Sequence, residues 1–198
     1  MKKIYIATSR DVGIKCKNWA HKNIPAGYQM TENMDDCDIF ISVLYDTIIR
    51  KEFIKSKECF NFHPGILPEY RGAGAYSWTI INQEKKCGIT LHKIDAGIDT
   101  GDVIEIRQFL VSENDTAYSL YKKGTETIFK MFKDWFLDLL TENYIAVEQH
   151  LYNSKLYYRK DLSKARNITR YIKAFHFPGK ESAYYINSKG TKIYINFE

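Results

Sequence analysis

The chain has 198 residues, 44% of them hydrophobic, and a formal net charge of +5. That length suits one domain able to bury roughly two-thirds of its unfolded surface. Cys16, Cys37, Cys59 and Cys87 are scattered without paired spacing or a Cys-x-x-Cys, which argues against a disulfide scaffold and a zinc site and for reduced thiols in a cytoplasmic protein. Met1 to Lys3 leads straight into Ile4-Tyr5-Ile6-Ala7, too short for a signal h-region, and no apolar run reaches membrane-spanning length. Repeats and low-complexity segments are absent.

In chain order, Ile4 to Thr8 reads as a buried strand and Asp11 to about His21 as a helix capped by Asp11, a Rossmann-like opening. Thr8 to Gly13 carries no glycine fingerprint for a pyrophosphate, and Arg71-Gly72-Ala73-Gly74 offers only two glycines in the wrong context, which disfavours dinucleotide binding. Pro25-Ala26-Gly27 predicts a turn, Tyr28 to Met30 a brief strand and Thr31 to Asp38 an acidic connection. Ile39 to Leu44 is a continuous apolar run of the kind that parallel sheets bury on both faces. Tyr45 to Ile49 comes next, at the carboxyl end of a strand where open α/β sheets bind ligands.

Cys59 to Gly72 is the most informative stretch. In an extended segment Asn61 and His63 share one face while Phe60 and Phe62 take the other, and Pro64 with Gly65, Pro68 and Gly72 shapes the residues after His63 into a loop. Ala73 to Asn82 predicts a helix with Trp78 in the core. Gly88 to Ile94 and Val103 to Val111 read as two strands around an acidic loop, Asp95 to Asp102, whose carboxylates repel unless something pairs with them. From Thr116 onward apolar residues fall at three- and four-residue steps, predicting a long amphipathic helix capped by Asp115. Ile145 to Leu151 and Leu156 to Tyr158 read as strand-like connections and Leu162 to Phe175 as another helix. Ala183 to Ile186 and Lys192 to Ile195 flank Asn187-Ser188-Lys189-Gly190 as a hairpin.

Asn61-x-His63-Pro64-x-x-Leu67-Pro68-x-Tyr70-Arg71-Gly72, then Trp78, Gly88-x-Thr90-x-His92 and Ile98-Asp99-Thr100-Gly101-Asp102, resembles the folate-dependent formyltransferases over about Ile39 to Ile106. The resemblance implies a Rossmann-like, mostly parallel sheet, with the stretch before Asn61 shorter than the family's by roughly one βα unit. It also implies N10-formyltetrahydrofolate as formyl donor, held by Leu44, Tyr45, Ile48, Asp95 and Ile98, and an acceptor amine beside Tyr70, Arg71, Gly72 and Tyr76. Where the family often has Pro and Gly around its Trp helix, this chain has Ala75 and Gln83.

Formyl transfer to an amine needs a proton acceptor and a stabiliser for the oxyanion. Asn61 offers an uncharged N–H, and His63 titrates near neutrality as base or second donor. Asp99 is the natural partner of His63 and should hold its pKa at or above the ordinary value. Taken singly the three read as a turn cap, a satisfied buried imidazole and a loop cap; together, in family order, they read as a catalytic site requiring no metal. His92 reads equally as strand packing or as support for that site.

The sequence predicts a catalytic domain over 1–150 and a small C-terminal helix and hairpin over 151–198. About fifty residues after Leu151 are too few for the RNA-contacting domain of methionyl-tRNA formyltransferases, and the first loop lacks the phosphate loop of glycinamide ribonucleotide formyltransferases. The sugar branch remains, with a nucleotide-linked amino sugar as acceptor; another amine, or an inactive folate- or nucleic-acid-binding relative, is the alternative. From Lys155 to Lys192 ten basic residues (Lys155, Arg159, Lys160, Lys164, Arg166, Arg170, Lys173, Lys180, Lys189 and Lys192) stand against Asp161 and Glu181 and present either a phosphate-binding face or a solvated surface. Tyr184, Tyr185, Ile186, Ile193, Tyr194 and Ile195 put more apolar surface on one hairpin than two strands can bury alone and predict a homodimer through it.

Overall fold

The computed structural model describes residues 1–164 and 167–195. Strands β1 (Lys2–Ala7), β2 (Tyr28–Met30), β3 (Ile39–Val43), β4 (Glu58–His63), β6 (Lys86–Lys93) and β7 (Val103–Leu110) form one sheet in the order β2-β1-β3-β4-β6-β7. The pairings among β2, β1, β3 and β4 are parallel, and β6 and β7 close the sheet as an antiparallel pair. The fold is a mostly parallel, Rossmann-like α/β sheet. The chain leaves β1 for β2 on one side and returns to β3 on the other, so the connections after β1 and β3 run in opposite directions and leave a crevice outside the carboxyl ends of the strands.

Alternation sorts the side chains. Ile4, Ile6, Ile41, Val43, Phe60, Phe62, Ile89 and Leu91 pack against helices α1 (Asp11–Asn23) and α4 (Ala117–Leu140), where Phe132 and Phe136 fill the interior. Asn61 and His63 therefore point to the opposite face. That face is covered by the short helix α2 (Lys51–Ile54), helix α3 (Ala75–Ile81) and the C-terminal segment. A second apolar cluster joins Tyr76, Ile80 and Leu120 to Leu162, Tyr171, Ala174 and Phe175, so the C-terminal segment shares a core with the sheet domain. It comprises a 3-10 turn at Arg159–Lys164, helix α5 (Ile168–Phe175) and a hairpin of β9 (Ala183–Ile186) with β10 (Lys192–Ile195).

Local details differ from the sequence expectations. Asp11 does not cap α1: the N-cap is Arg10, whose backbone N–H donates to Thr8 Oγ1 at 3.0 Å. Asp115 does not cap α4 either. Thr116 and Ser119 form a reciprocal capping box, while the Asp115 carboxylate accepts from Ser112, Ser119 and Lys123. The expected helix over Leu162 to Phe175 is a 3-10 turn and a separate α5, because Asn167 caps Arg170 N–H and starts a new helix; Ala165 and Arg166 lie outside the described residues. The stretch from Ile145 to Leu151 makes one isolated bridge, Val147 to Val103, before a 3-10 turn. Trp78 is half-buried rather than in the core: its Nε1 donates to Tyr158 O and its ring packs on Tyr157. No helix among the described residues is long and apolar enough to cross a membrane.

Candidate active site

Strand register brings the site together. β4 pairs with β6 so that Asn61 faces His92 and His63 faces Thr90, which puts Asn61 and His92 side by side on the free face. Asn61 Nδ2 donates to His92 Nε2 at 3.1 Å and to Asp99 Oδ1 at 3.4 Å. His92 Nδ1 donates to the Lys93 carbonyl at 2.6 Å, which leaves Nε2 as the acceptor. Thr90 Oγ1 donates to Gly65 O at 2.6 Å and accepts from Leu67 N–H, fixing the loop that leaves β4.

His63 is 2% exposed. Its Nε2–H donates to Tyr70 O at 2.6 Å, and its Nδ1 stands 3.4 Å from Asp99 Oδ2. Asp99 arrives from the loop after β6 at φ +51° and accepts from the Gly72 N–H at 2.8 Å. Gly72 belongs to a short strand β5 (Arg71–Gly72) that runs parallel to β8 (Leu156–Tyr157). Its φ of +90° turns that N–H toward Asp99, and a Cβ there would lie 2.4 Å from Tyr157 O.

The electrostatics are asymmetric. Burial pushes the His63 imidazole below its ordinary value; Asp99 opposes that shift and nearby His92 reinforces it. The expectation that Asp99 would hold His63 at or above the ordinary value is thus corrected, because desolvation of the imidazolium outweighs one carboxylate. Burial also opposes ionisation of Asp99, yet His63, His92 and the Gly72 N–H together outweigh it and hold the carboxyl well below the usual carboxylate range. Asp95, four residues earlier, is occupied by the Gly97 N–H and the Thr100 hydroxyl.

These groups lie in a cavity of about 570 Å³ at the carboxyl ends of β1, β3 and β4. Leu44, Tyr45, Ile48, Asp95 and Ile98 line it, as do Gly72 and Tyr76. Ile48 is 84% and Ile98 41% exposed, so two apolar side chains stand uncovered beside the cavity. Tyr70 and Arg71 are not on its walls. The Tyr70 ring stacks on Tyr157 and its hydroxyl donates to Glu84 at 2.7 Å, so it holds the loop together and meets His63 only through its carbonyl. Arg71 turns inward, with Nε buried and unpartnered.

The sequence reading did not assign three participants to the site. His92 holds Asn61; Arg159 lines the cavity with Nη2 buried and unpartnered; Gln149 ties down the Asp99 loop. Arg159 lay within a visible basic run, in which Arg166 falls outside the described residues, but nothing in that run distinguishes it. Lys180 also reaches the cavity, whereas Lys192 pairs with Glu181 and Lys173 donates to Glu113 O.

The chain is 38% identical over 98 residues to the GDP-perosamine N-formyltransferase of Brucella melitensis, a match covering 48% of this chain and 38% of that protein. It thus spans well under half the length of that relative. Among solved structures, a sugar N-formyltransferase from a Shewanella species superposes over all of this chain and 97% of its own at a TM-score of 0.88 and 20% identity. The sugar 3N-formyltransferase WlaRD, solved in the presence of dTDP and 5-N-formyl-THF, is 27% identical with a TM-score of 0.77 over 89% of this chain and 80% of its own. The formyl transferase family model matches residues 14–134, more than half of the sequence, and the chain belongs to that family.

Proposed function

We propose that the protein transfers a formyl group from N10-formyltetrahydrofolate to the amine of a nucleotide-linked amino sugar, in the cytoplasm, where its four buried thiols stay free. The observation that carries the reading is the contact of Asn61, His63 and Asp99 at the wall of a cavity that Arg159 also lines, its guanidinium over the Phe175 ring and its Nη2 buried without a hydrogen-bond partner. The apolar side chains of Leu44, Ile48 and Ile98 fit a flat donor ring, with Tyr45 and Asp95 beside them. Bound N10-formyltetrahydrofolate supplies the activated formyl group.

His63 has one free nitrogen, because Nε2–H is committed to Tyr70 O. Nδ1 therefore takes the amine proton as the amine nitrogen bonds to the formyl carbon, the Asp99 carboxylate beside it stabilises the imidazolium that results, and that proton passes to the departing donor nitrogen as its bond to the formyl carbon breaks. The Asn61 N–H that reaches Asp99 at 3.4 Å is its weaker contact, and it turns to the oxygen on which negative charge develops. Asp99 keeps the Gly72 N–H throughout. Arg159 and Lys180 receive the acceptor's phosphates, since a buried guanidinium nitrogen without a partner is costly until an anion occupies it.

We further propose that the protein is a homodimer through its hairpin, where Tyr185, Ile186 and Tyr194 are each more than half exposed on two strands. The function is tested by mass spectrometry of GDP-, UDP- and dTDP-linked amino sugars incubated with enzyme and 10-formyltetrahydrofolate. One of them gains a formyl mass; no gain on any of the panel refutes the reading.

A further inference from the structure

Asp99 occupies the left-handed region at φ +51°, which side chains larger than glycine rarely adopt. Its backbone needs an external restraint, and that restraint comes from far along the chain. Gln149 Nε2 donates to Asp99 O at 3.1 Å and to Gly101 O at 2.6 Å, bracketing the end of the loop. Val147 and Val103 deliver it, each N–H donating to the other's carbonyl at 2.8 Å. Gly101 is itself pressed against the Lys93 carbonyl, where a Cβ would fall 2.0 Å away, so the loop has no slack on that side. The Gln149 side chain is buried and its Oε1 finds no partner. An apolar side chain would fill the same space without an unpaired oxygen, so the two N–H donors are what the position supplies.

We propose that Gln149 is a positioning residue for the transfer reaction, setting the Asp99 carboxylate against His63 Nδ1 by clamping the Asp99 and Gly101 carbonyls. The catalytic consequence rests on the formyl-transfer reading; the coupling itself does not. Two titratable groups face His63, Asp99 from the loop and His92 from β6, together with the neutral carbonyl of Tyr70. His92 is held by Asn61 and by Lys93 O, and its Nε2 also stands 3.6 Å from Asp99 Oδ1. Loosening the loop therefore acts on His63 through the Asp99 carboxylate, both directly and by way of its contact with His92.

The test tracks the His63 imidazole by NMR against pH in full-length protein labelled at histidine, with no substrate present. Gln149→Met should lower the His63 midpoint by about half a pH unit or more, toward that of Asp99→Asn, because the carboxylate supports the imidazolium. Gln149→Asn, shorter but still a donor, should fall between, and it carries the test if Gln149→Met does not fold. In the Asp99→Asn background Gln149→Met should add no further shift. Unchanged midpoints in both Gln149 variants, or a shift that persists without the Asp99 carboxylate, would overturn the proposal even if melting temperatures drop. In turnover assays kcat should fall about tenfold or more with KM changing less than about threefold. If the wild-type protein formylates no acceptor, the formyl-transfer reading fails while the titration still decides the role of Gln149.

Discussion

The His63 Nε2–H is fixed on the Tyr70 carbonyl at 2.6 Å, and Gly65 is what leaves room for that contact. A Cβ on Gly65 would lie 2.7 Å from Tyr70 O and 2.8 Å from His63 Nε2, inside the hydrogen bond itself. The bond decides which nitrogen of His63 faces Asp99, so a single hydrogen in place of a side chain sets the chemistry of the base.

Gly65→Ala should therefore lower turnover by about tenfold or more, since misplacing a catalytic group by a fraction of an ångström is expensive. Forced overpacking should also cost about 1–3 kcal/mol of stability. Steady-state kinetics and thermal melts on the same preparation measure both; wild-type kcat in a variant of lowered melting temperature would separate the glycine from the base.

Asn61→Ala and His63→Ala should each reduce turnover by about two orders of magnitude or more, the usual loss for an oxyanion donor or a general base. Phe60 and Phe62, on the opposite face of β4, keep the core intact. Calorimetry with 5-formyltetrahydrofolate should find donor binding preserved in both. Near wild-type turnover at saturating donor would remove that residue from the mechanism.

His63 is held below its ordinary value by burial, so turnover governed by it should rise with pH through a midpoint below about 6.5 and be flat above neutrality. A limb above pH 7 would belong to the acceptor amine. Asp99 raises the His63 value, so Asp99→Asn should move the lower limb to lower pH and reduce the plateau. Stability has the same sign. A histidine that binds its proton less readily when folded contributes no penalty above about pH 6.5, and the native state is destabilised progressively as pH falls toward the folded midpoint. His63→Gln should flatten the melting temperature profile in that window; an unchanged slope would mean that His63 does not titrate there.

Arg159→Met should weaken binding of UDP, dTDP or GDP by about ten- to a hundredfold, the scale of a lost charge-assisted hydrogen bond. Binding of 5-formyltetrahydrofolate should not change, because Arg159 lies on the C-terminal segment and not on the loops after β3 and β6. Equal affinity of both proteins for all three nucleotides would show that the guanidinium does not receive phosphates.

The hairpin proposal is tested on its exposed face. Tyr185→Glu with Tyr194→Glu should shift the sedimentation coefficient from dimer to monomer at micromolar concentration while leaving β9 paired with β10, since both side chains are already half exposed. A wild-type protein that sediments as a monomer would end it.

Much of the site was legible because it rests on local rules. Alternation along β4 put Asn61 and His63 on one face and Phe60 and Phe62 on the other, and the continuous apolar run at Ile39–Val43 marked a strand buried on both sides. Periodicity and turn residues marked the long helix and the hairpin in the same way. What sequence order does not contain is register and distance. That His92 meets Asn61 depends on how β6 aligns with β4, and the burial that lowers His63 depends on every element packed around it. The motif that contains Tyr70 does not say that its ring stacks on Tyr157 or that its carbonyl meets the histidine. Gln149 carries no motif at all. Its two hydrogen bonds reach across about fifty residues to backbone carbonyls, and backbone atoms are the same at every position, so only the folded chain reveals which ones it holds.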